Sequence, residues 1–278
     1  MTLENNVTII TGASTGIGEA LAYGLAEKGA HLVLSSRRVD ELERVADKVR
    51  EIGKTSGSRA TVIACDVAIA EDCKHLIDAT VSEFGGIDTI VLNAGMTMWA
   101  KFADIKDMAI VERIMQVNYM GAVYCTHYAL PHLTAARGRI VGIASLTGLV
   151  GVPTRTAYAA SKHAMRGFFD SLRIELVETG VTVTMIYPGF VATGIRENAT
   201  GADGKAAKVD PVNKDDVMSA AECADNIVRA IECRQREQVM TFKGKLGQWI
   251  RLIAPTIIDG MAKRAVAGNQ KHIDGEKT

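Results

Sequence analysis

Three residues of this chain could perform acid–base chemistry together: Ser145, Tyr158 and Lys162. Tyr158 and Lys162 are four apart, the spacing that puts two side chains on one face of a helix. An ammonium beside a phenol favours the phenolate and lowers a tyrosine from its usual value of about 10. A tyrosine tuned in this way is a general acid or base, and a neighbouring serine hydroxyl can hold a polarised oxygen. A half-buried tyrosine packed on a lysine stem would show the same spacing. The choice between the two depends on whether the chain supplies something for such an acid to serve.

A second constellation supplies it. Val7 to Ile10 is a β-branched run that reads as a buried strand. Thr11-Gly12-Ala13-Ser14-Thr15-Gly16-Ile17-Gly18 follows, and Glu19 to Lys28 reads as a helix stopped by Gly29. Strand, glycine-rich turn and helix form the context in which a glycine triplet holds a pyrophosphate. Gly12 allows a tight turn. Gly16 lets backbone approach an anion at the helix N-terminus, and Gly18 lets helix and strand pack closely. An ordinary glycine turn remains the alternative.

The second strand reads as His31 to Ser36, with Arg37 and Arg38 after it. An acid at its end would bind ribose hydroxyls and repel a phosphate. Ser36 stands there instead, and the Arg37 guanidinium matches a 2′-phosphate, so NADP is expected in preference to NAD. Solvated loop charges are the competing reading of the arginines.

The elements that must position these groups alternate along the chain. Helix is expected over Asp40 to Ile52, a loop over Gly53 to Ser58, strand over Ala60 to Cys65 and helix over Ala70 to Phe84. Asp66 could accept from an adenine amino group or cap the turn after its strand. Ile87 to Leu92 reads as a strand ending in Asn93-Ala94-Gly95, where small residues let a ribose lie on backbone and the asparagine can tie strands together. Helix follows from Ile105 to Leu133, strand from Arg139 to Ala144, helix from Arg155 to Thr179 and strand from Val181 to Tyr187. Ser145 then sits at the carboxyl end of a strand, where open parallel sheets bind ligands. Residues 194–218 form a polar stretch with Gly201, Gly204 and Pro211, long enough for a lid. Ser219 to Glu222 is a capping box opening a helix to about Arg234, and Gln238 to Phe242 reads as an edge strand. Six alternations of strand and helix specify an α/β fold: a doubly wound, Rossmann-type parallel sheet of about seven strands with helices on both faces, in a single domain. The expected organisation is a catalytic domain over 1–243 and an amphipathic C-terminal extension over 244–278.

Composition excludes other classes. Lys+Arg and Asp+Glu number 32 each, so no basic surface points to nucleic acid. No apolar run is long enough to span a bilayer, and MTLENNVTII does not fit a secretory signal. Five scattered cysteines without Cys-x-x-Cys read as reduced thiols of a cytoplasmic protein. The six histidines lack metal-ligand spacing, so no metal is expected. Apolar residues from Met96 to Trp99, from Leu146 to Val150 and from Phe190 onward suggest a hydrophobic carbonyl or secondary alcohol; packing under a loop would also account for Met96, Met98 and Trp99. The tail Gly244 to Ala267 sets Leu246, Trp249, Ile250, Leu252, Ile253, Ile257, Ile258 and Met261 among Lys and Arg. It is suited to packing on the body or a neighbouring subunit, to peripheral membrane contact, or to contact with a lipophilic substrate.

TGASTGIG at 11–18, Asp66-Val67, Asn93-Ala94-Gly95, Asn118, Ser145, YAASK at 158–162 and PGFVAT at 188–193 stand in one order over roughly residues 5 to 242. In that order they resemble the short-chain dehydrogenase/reductase family, in its short single-domain branch. The stretch 152–176 is similar to bacterial members of unassigned substrate and, more distantly, to hydroxysteroid dehydrogenases. The resemblance implies that Tyr158 is the proton donor and acceptor. It implies that Lys162 lowers the tyrosine pKa and bonds the nicotinamide ribose, that Ser145 orients the substrate oxygen, and that Asn118 holds a relay water. It places a cofactor on Gly12, Ser14, Thr15, Gly16, Ile17, Gly18, Arg37, Asp66, Val67, Asn93, Ala94, Gly95, Asn118, Tyr158, Lys162, Pro188, Gly189, Val191 and Thr193. It also implies a homodimer or homotetramer. Three departures stand out. Leu92 replaces a common asparagine, Ala144 a common second serine, and Thr15 a basic residue frequent in NADP-binding members. The implied activity interconverts a ketone and a secondary alcohol. A 3-oxoacyl-thioester reductase and a non-catalytic dinucleotide sensor are the alternatives.

Overall fold

The structure, a computed structural model, describes residues 2–194, 199–207 and 217–264. Seven strands form one parallel sheet in the order β3-β2-β1-β4-β5-β6-β7. They are β1 Val7–Thr11, β2 His31–Ser36, β3 Ala60–Ala64, β4 Thr89–Leu92, β5 Arg139–Ile143, β6 Thr182–Tyr187 and β7 Glu237–Val239. The helices are α1 Gly16–Glu27, α2 Val39–Ser56, α3 Ala70–Phe84, α4 Ala109–Met115, α5 Gly121–Ala136, α6 Thr156–Glu175, α7 Ala220–Glu232 and α8 Phe242–Ile253. The strand order reverses between β1 and β4, the point where such sheets open a crevice at their carboxyl ends.

The central strands β1, β2, β4, β5 and β6 are buried on both faces, which is why they read as near-continuous apolar runs, whereas the edge strands β3 and β7 are partly exposed. Successive side chains enter opposite cores. Ile9, Val33, Ile90 and Ile140 pack with α3, α5 and α6 through Leu76, Cys125 and Phe169. Ile10, Leu34, Val91 and Val141 pack with α1, α2 and α7 through Leu25, Val45 and Ile227. Four of the five cysteines are buried and all five are free thiols.

The helix over Ala70 to Phe84 and the strand over His31 to Ser36 fall on the expected residues. Elsewhere tertiary contacts move the boundaries. α2 runs through the expected loop to Ser56 before Gly57 ends it at φ +79°. Gly53 is tolerated inside that helix because the Ser58 carbonyl packs where a side chain would lie. The long helix expected from Ile105 starts only at Ala109, after an extended Ile105, and is interrupted by a π-helical turn at Gln116–Met120. α6 ends at Glu175, with a 3₁₀ turn at Val177–Thr179 before Gly180. The Ser219 hydroxyl accepts from the Glu222 amide at 3.1 Å, as the capping box requires. The edge strand is Glu237–Val239, shorter than expected, because the Thr241 hydroxyl accepts from the Gly244 amide and opens α8 at Phe242. Of the polar stretch 194–218, residues 195–198 and 208–216, with Pro211, lie outside the described residues. Thr200 bridges to Met98 and to Ala206, laying the described part against 97–99.

Candidate active site

The glycine turn is built from β1 outward. The Thr11 hydroxyl accepts from the Asn93 and Ala94 amides, and Asn93 Nδ2 donates to the Thr11 and Gly12 carbonyls at 3.0 Å. Asn93 therefore ties β4 to the turn after β1, as its sequence position suggested. Gly16 takes φ +64°, and a Cβ on Gly18 would stand 2.4 Å from the Gly12 carbonyl oxygen. The backbone is held open at the start of α1, where unpaired N–H groups and the helix dipole favour an anion. Thr193 closes the far side, its side chain 2.9 Å from where a Gly16 Cβ would lie.

Next to the turn the two arginines behave differently. Arg37 is 68% exposed, with Nη1 3.8 Å from Asp66 Oδ2. Arg38 Nη2 donates to the Ser14 hydroxyl at 2.9 Å and to the Thr15 hydroxyl at 3.0 Å. The expected 2′-phosphate contact falls on Arg37, whereas the side chain that reaches the turn is Arg38. The doubled arginine was visible, but its approach to Thr15 depends on how the second crossover places the loop. Asp66 does cap its turn, accepting from the Ala68 amide at 3.1 Å, and it pairs with Arg113 at 2.8 Å. Burial acts to raise the Asp66 carboxyl, but the Arg113 hydrogen bond, the Ala68 amide and the charges of Arg113 and Arg37 bring it below the ordinary value. Arg113 had no sequence signal. The Val67 side chain is buried against Gly121.

A pocket opens beside this cradle, lined by Ile17, Asn93, Gly95, Thr97, Ser145, Arg155, Tyr158, Lys162, Pro188, Gly189, Phe190, Val191 and Thr193 among others. It gathers residues expected from five separate motifs. Ser145 follows β5 and caps a 3₁₀ turn, its Oγ accepting from the Thr147 amide. Tyr158 and Lys162 lie one turn apart on α6, with Lys162 Nζ 5.9 Å from the tyrosine ring centroid. Lys162 is buried, and Nζ donates to the Ile143 carbonyl at 2.8 Å. Desolvation brings its ammonium from 10.5 down to about 8. Burial holds the Tyr158 phenol above its ordinary value, not below it as the spacing to Lys162 suggested, with the Arg155 charge and the Ser145 and Thr147 hydroxyls acting in the opposite direction.

Asn118 occupies the π-helical turn between α4 and α5, a distortion often found at functional sites. Its Oδ1 accepts from the Met96 amide, and Nδ2 donates to the Met96 carbonyl and to Ser161 Oγ. Ser161 Oγ in turn donates to the Tyr158 carbonyl at 2.8 Å. Ser161 lies inside the YAASK motif, yet its role as a strut is visible only in three dimensions. A Cβ on Gly95 would lie 3.3 Å from Asn118 Oδ1 and 3.7 Å from Lys162 Nζ, so this glycine leaves a gap between the two.

The expected apolar wall is only partly present. Met98 is buried with Ile110, Ile114 and Ala157 and does not line the pocket; it packs under the loop. The Arg155 guanidinium covers the Trp99 ring at 3.7 Å from its centroid. Arg155 was not expected in the site. A lone arginine three residues before the tyrosine carries no signal until its side chain is seen turned inward.

Comparison with known proteins follows the same lines. The model of a family described as short chain dehydrogenase matches residues 6–203. The chain is 40% identical over 263 residues to an 11-beta-hydroxysteroid dehydrogenase-like 4A of Arabidopsis thaliana, covering 94% of this chain and 85% of that protein. It is 34% identical over 270 residues to a dehydrogenase/reductase SDR family protein 7-like of Dictyostelium discoideum, covering 96% and 84%. The solved structure of an alcohol dehydrogenase from the archaeon Thermococcus sibiricus, complexed with 5-hydroxy-NADP, aligns with a TM-score of 0.70 at 25% identity, covering 84% of this chain and 95% of that one.

Proposed function

The chain belongs to the short-chain dehydrogenase family, and on that premise we propose that it interconverts a hydrophobic ketone and its secondary alcohol, using NADP in preference to NAD. That it is an NAD(P)-dependent dehydrogenase or reductase follows from the family and its hydroxysteroid and alcohol dehydrogenase relatives. The observation that carries the finer reading is the meeting of Ser145, Tyr158 and Lys162 in one pocket beside the glycine turn.

The residues present fit a dinucleotide. The turn from Gly12 to Gly18 would hold the pyrophosphate. Arg37 and Arg38 would hold a 2′-phosphate, Lys162 the nicotinamide ribose, and Pro188 to Thr193 the ring. When bound, the cofactor supplies or accepts the hydride. The Ser145 hydroxyl positions the substrate oxygen, and Tyr158 Oη gives it a proton in reduction or takes one in oxidation. Lys162 and Arg155 offset the charge left on the phenolate. Asn118, fixed through Met96 and Ser161, borders the gap at Gly95 through which a water relay would reload the proton.

Arg38 supports the NADP reading because it brings a cation to Thr15, where sequence showed none. The relative complexed with 5-hydroxy-NADP agrees with it. The presence of all four of Asn118, Ser145, Tyr158 and Lys162 argues against a sensor without turnover. A panel of ketones and alcohols with each cofactor, followed by nicotinamide absorbance, tests the proposal. Turnover that survives Tyr158→Phe undiminished would overturn the acid–base assignment.

A further inference from the structure

Helix α8 is turned inside out. At about 100° per residue, Phe242, Leu246, Trp249 and Ile253 share one stripe with Leu252 beside it. All five are exposed, Trp249 by 65% and Ile253 by 87%. The opposite face, with Gly244, Gly247 and Arg251, is the one that meets the body. A Cβ on Gly244 would collide with Leu146, Gly247 has Ile258 at 3.9 Å, and Arg251 donates to the Leu149 carbonyl. The helical segment 255–264 repeats the pattern, with Ile257 and Met261 outside and Ile258 buried. A surface helix ordinarily turns its large apolar side chains inward. A stripe of this extent facing water marks an interaction surface.

Charge identifies the occupant. Lys245 flanks the stripe on one side and Lys243 on the other, and no Asp or Glu occurs between Phe242 and Ile253. Residues 242–264 hold Lys243, Lys245, Arg251, Lys263 and Arg264 against Asp259 alone, in a chain with formal net charge of zero. We propose that this face docks on an anionic lipid surface. A layer of anionic headgroups attracts Lys245 and the net positive charge of this segment, by roughly fivefold in binding per basic side chain, and takes Trp, Phe and Leu at its boundary. Among the described residues no helix is long and apolar enough to cross a membrane, so the contact is peripheral. α8 rests on Leu146 and Leu149, in the segment that follows Ser145, so docking brings the lipid close to the chain that carries this serine.

The test is sedimentation of the full chain with vesicles of phosphatidylcholine, alone or with one part in three of phosphatidylserine. Binding is expected only with phosphatidylserine, weakening as salt rises, with a blue shift of the indole emission that Trp249→Phe abolishes. The variant Lys245→Glu should bind at least about fivefold more weakly. Its fold is checked by near-ultraviolet circular dichroism, and salt titration of the unaltered protein gives the same decision without a variant. Absence of binding, or equal binding to both vesicles, overturns the proposal. So does a dimer in solution that Trp249→Ser dissociates, since a second copy would then cover the stripe.

Discussion

The Arg155 guanidinium lies over the Trp99 indole, 3.7 Å from its ring centroid, and stands 5.5 Å from the centroid of the Tyr158 ring. Stacking helps to hold a buried cation next to the proposed acid. Arg155→Met should shift the basic limb of the kcat/KM profile to higher pH, because the phenolate loses a stabilising charge. Arg155→Lys should restore part of the shift. A profile that does not move in Arg155→Met would assign the side chain to packing alone. Loss of the stack should also lower stability by about 1–2 kcal/mol.

Removal of the Tyr158 hydroxyl should leave the fold and cofactor binding intact while turnover collapses. Tyr158→Phe is expected to lower kcat about 10²- to 10⁴-fold. Steady-state kinetics with titration of NADPH fluorescence separate the two effects.

Lys162→Met should gain stability while it loses activity. Burial places the folded-state ammonium near pH 8, against 10.5 for an ordinary lysine. Between these values the unfolded chain binds more protons, so stability of the native enzyme rises with pH there. Below pH 8 the penalty is present in full, on the order of 1–3 kcal/mol. The variant should therefore be the more stable protein at pH 7, with the gap closing toward pH 10.5. Urea melts of both proteins at pH 7 and pH 9.5 check the sign.

Arg38→Ala should weaken NADPH by roughly tenfold or more while leaving NADH within about twofold. Arg37→Ala should act in the same direction. Dissociation constants for both cofactors measure this directly, and an equal effect on NADH would count against a 2′-phosphate site.

Ser161→Ala tests the strut between Asn118 and α6. Asn118 Nδ2 would keep Met96 but lose Ser161 Oγ, and the Tyr158 carbonyl would lose a donor. A stability loss of about 1–2 kcal/mol is expected, with a fall in kcat larger than any change in KM. Thermal melts and kinetics on one preparation distinguish this from a purely structural effect.

What the sequence determined was local and periodic. The β-branched runs, the Ser219 cap and the helix over Ala70 to Phe84 each depend on neighbours a few residues away, and all appear in the structure. The order of motifs from Gly12 to Thr193 was equally legible, because a doubly wound sheet brings the ends of successive strands to one edge. Only the tertiary structure decided which side chains point into that edge. Arg38 reaches Thr15 across 23 positions, and Arg113 reaches Asp66 across 47. Arg155 turns onto Trp99, and Met98 turns away from the pocket into its own small core. Such contacts depend on crossover angles and packing between elements, which no spacing in the chain encodes. The tail shows the same division: its apolar period was plain in sequence, but only the packing of Gly244 on Leu146 revealed that the large side chains face outward.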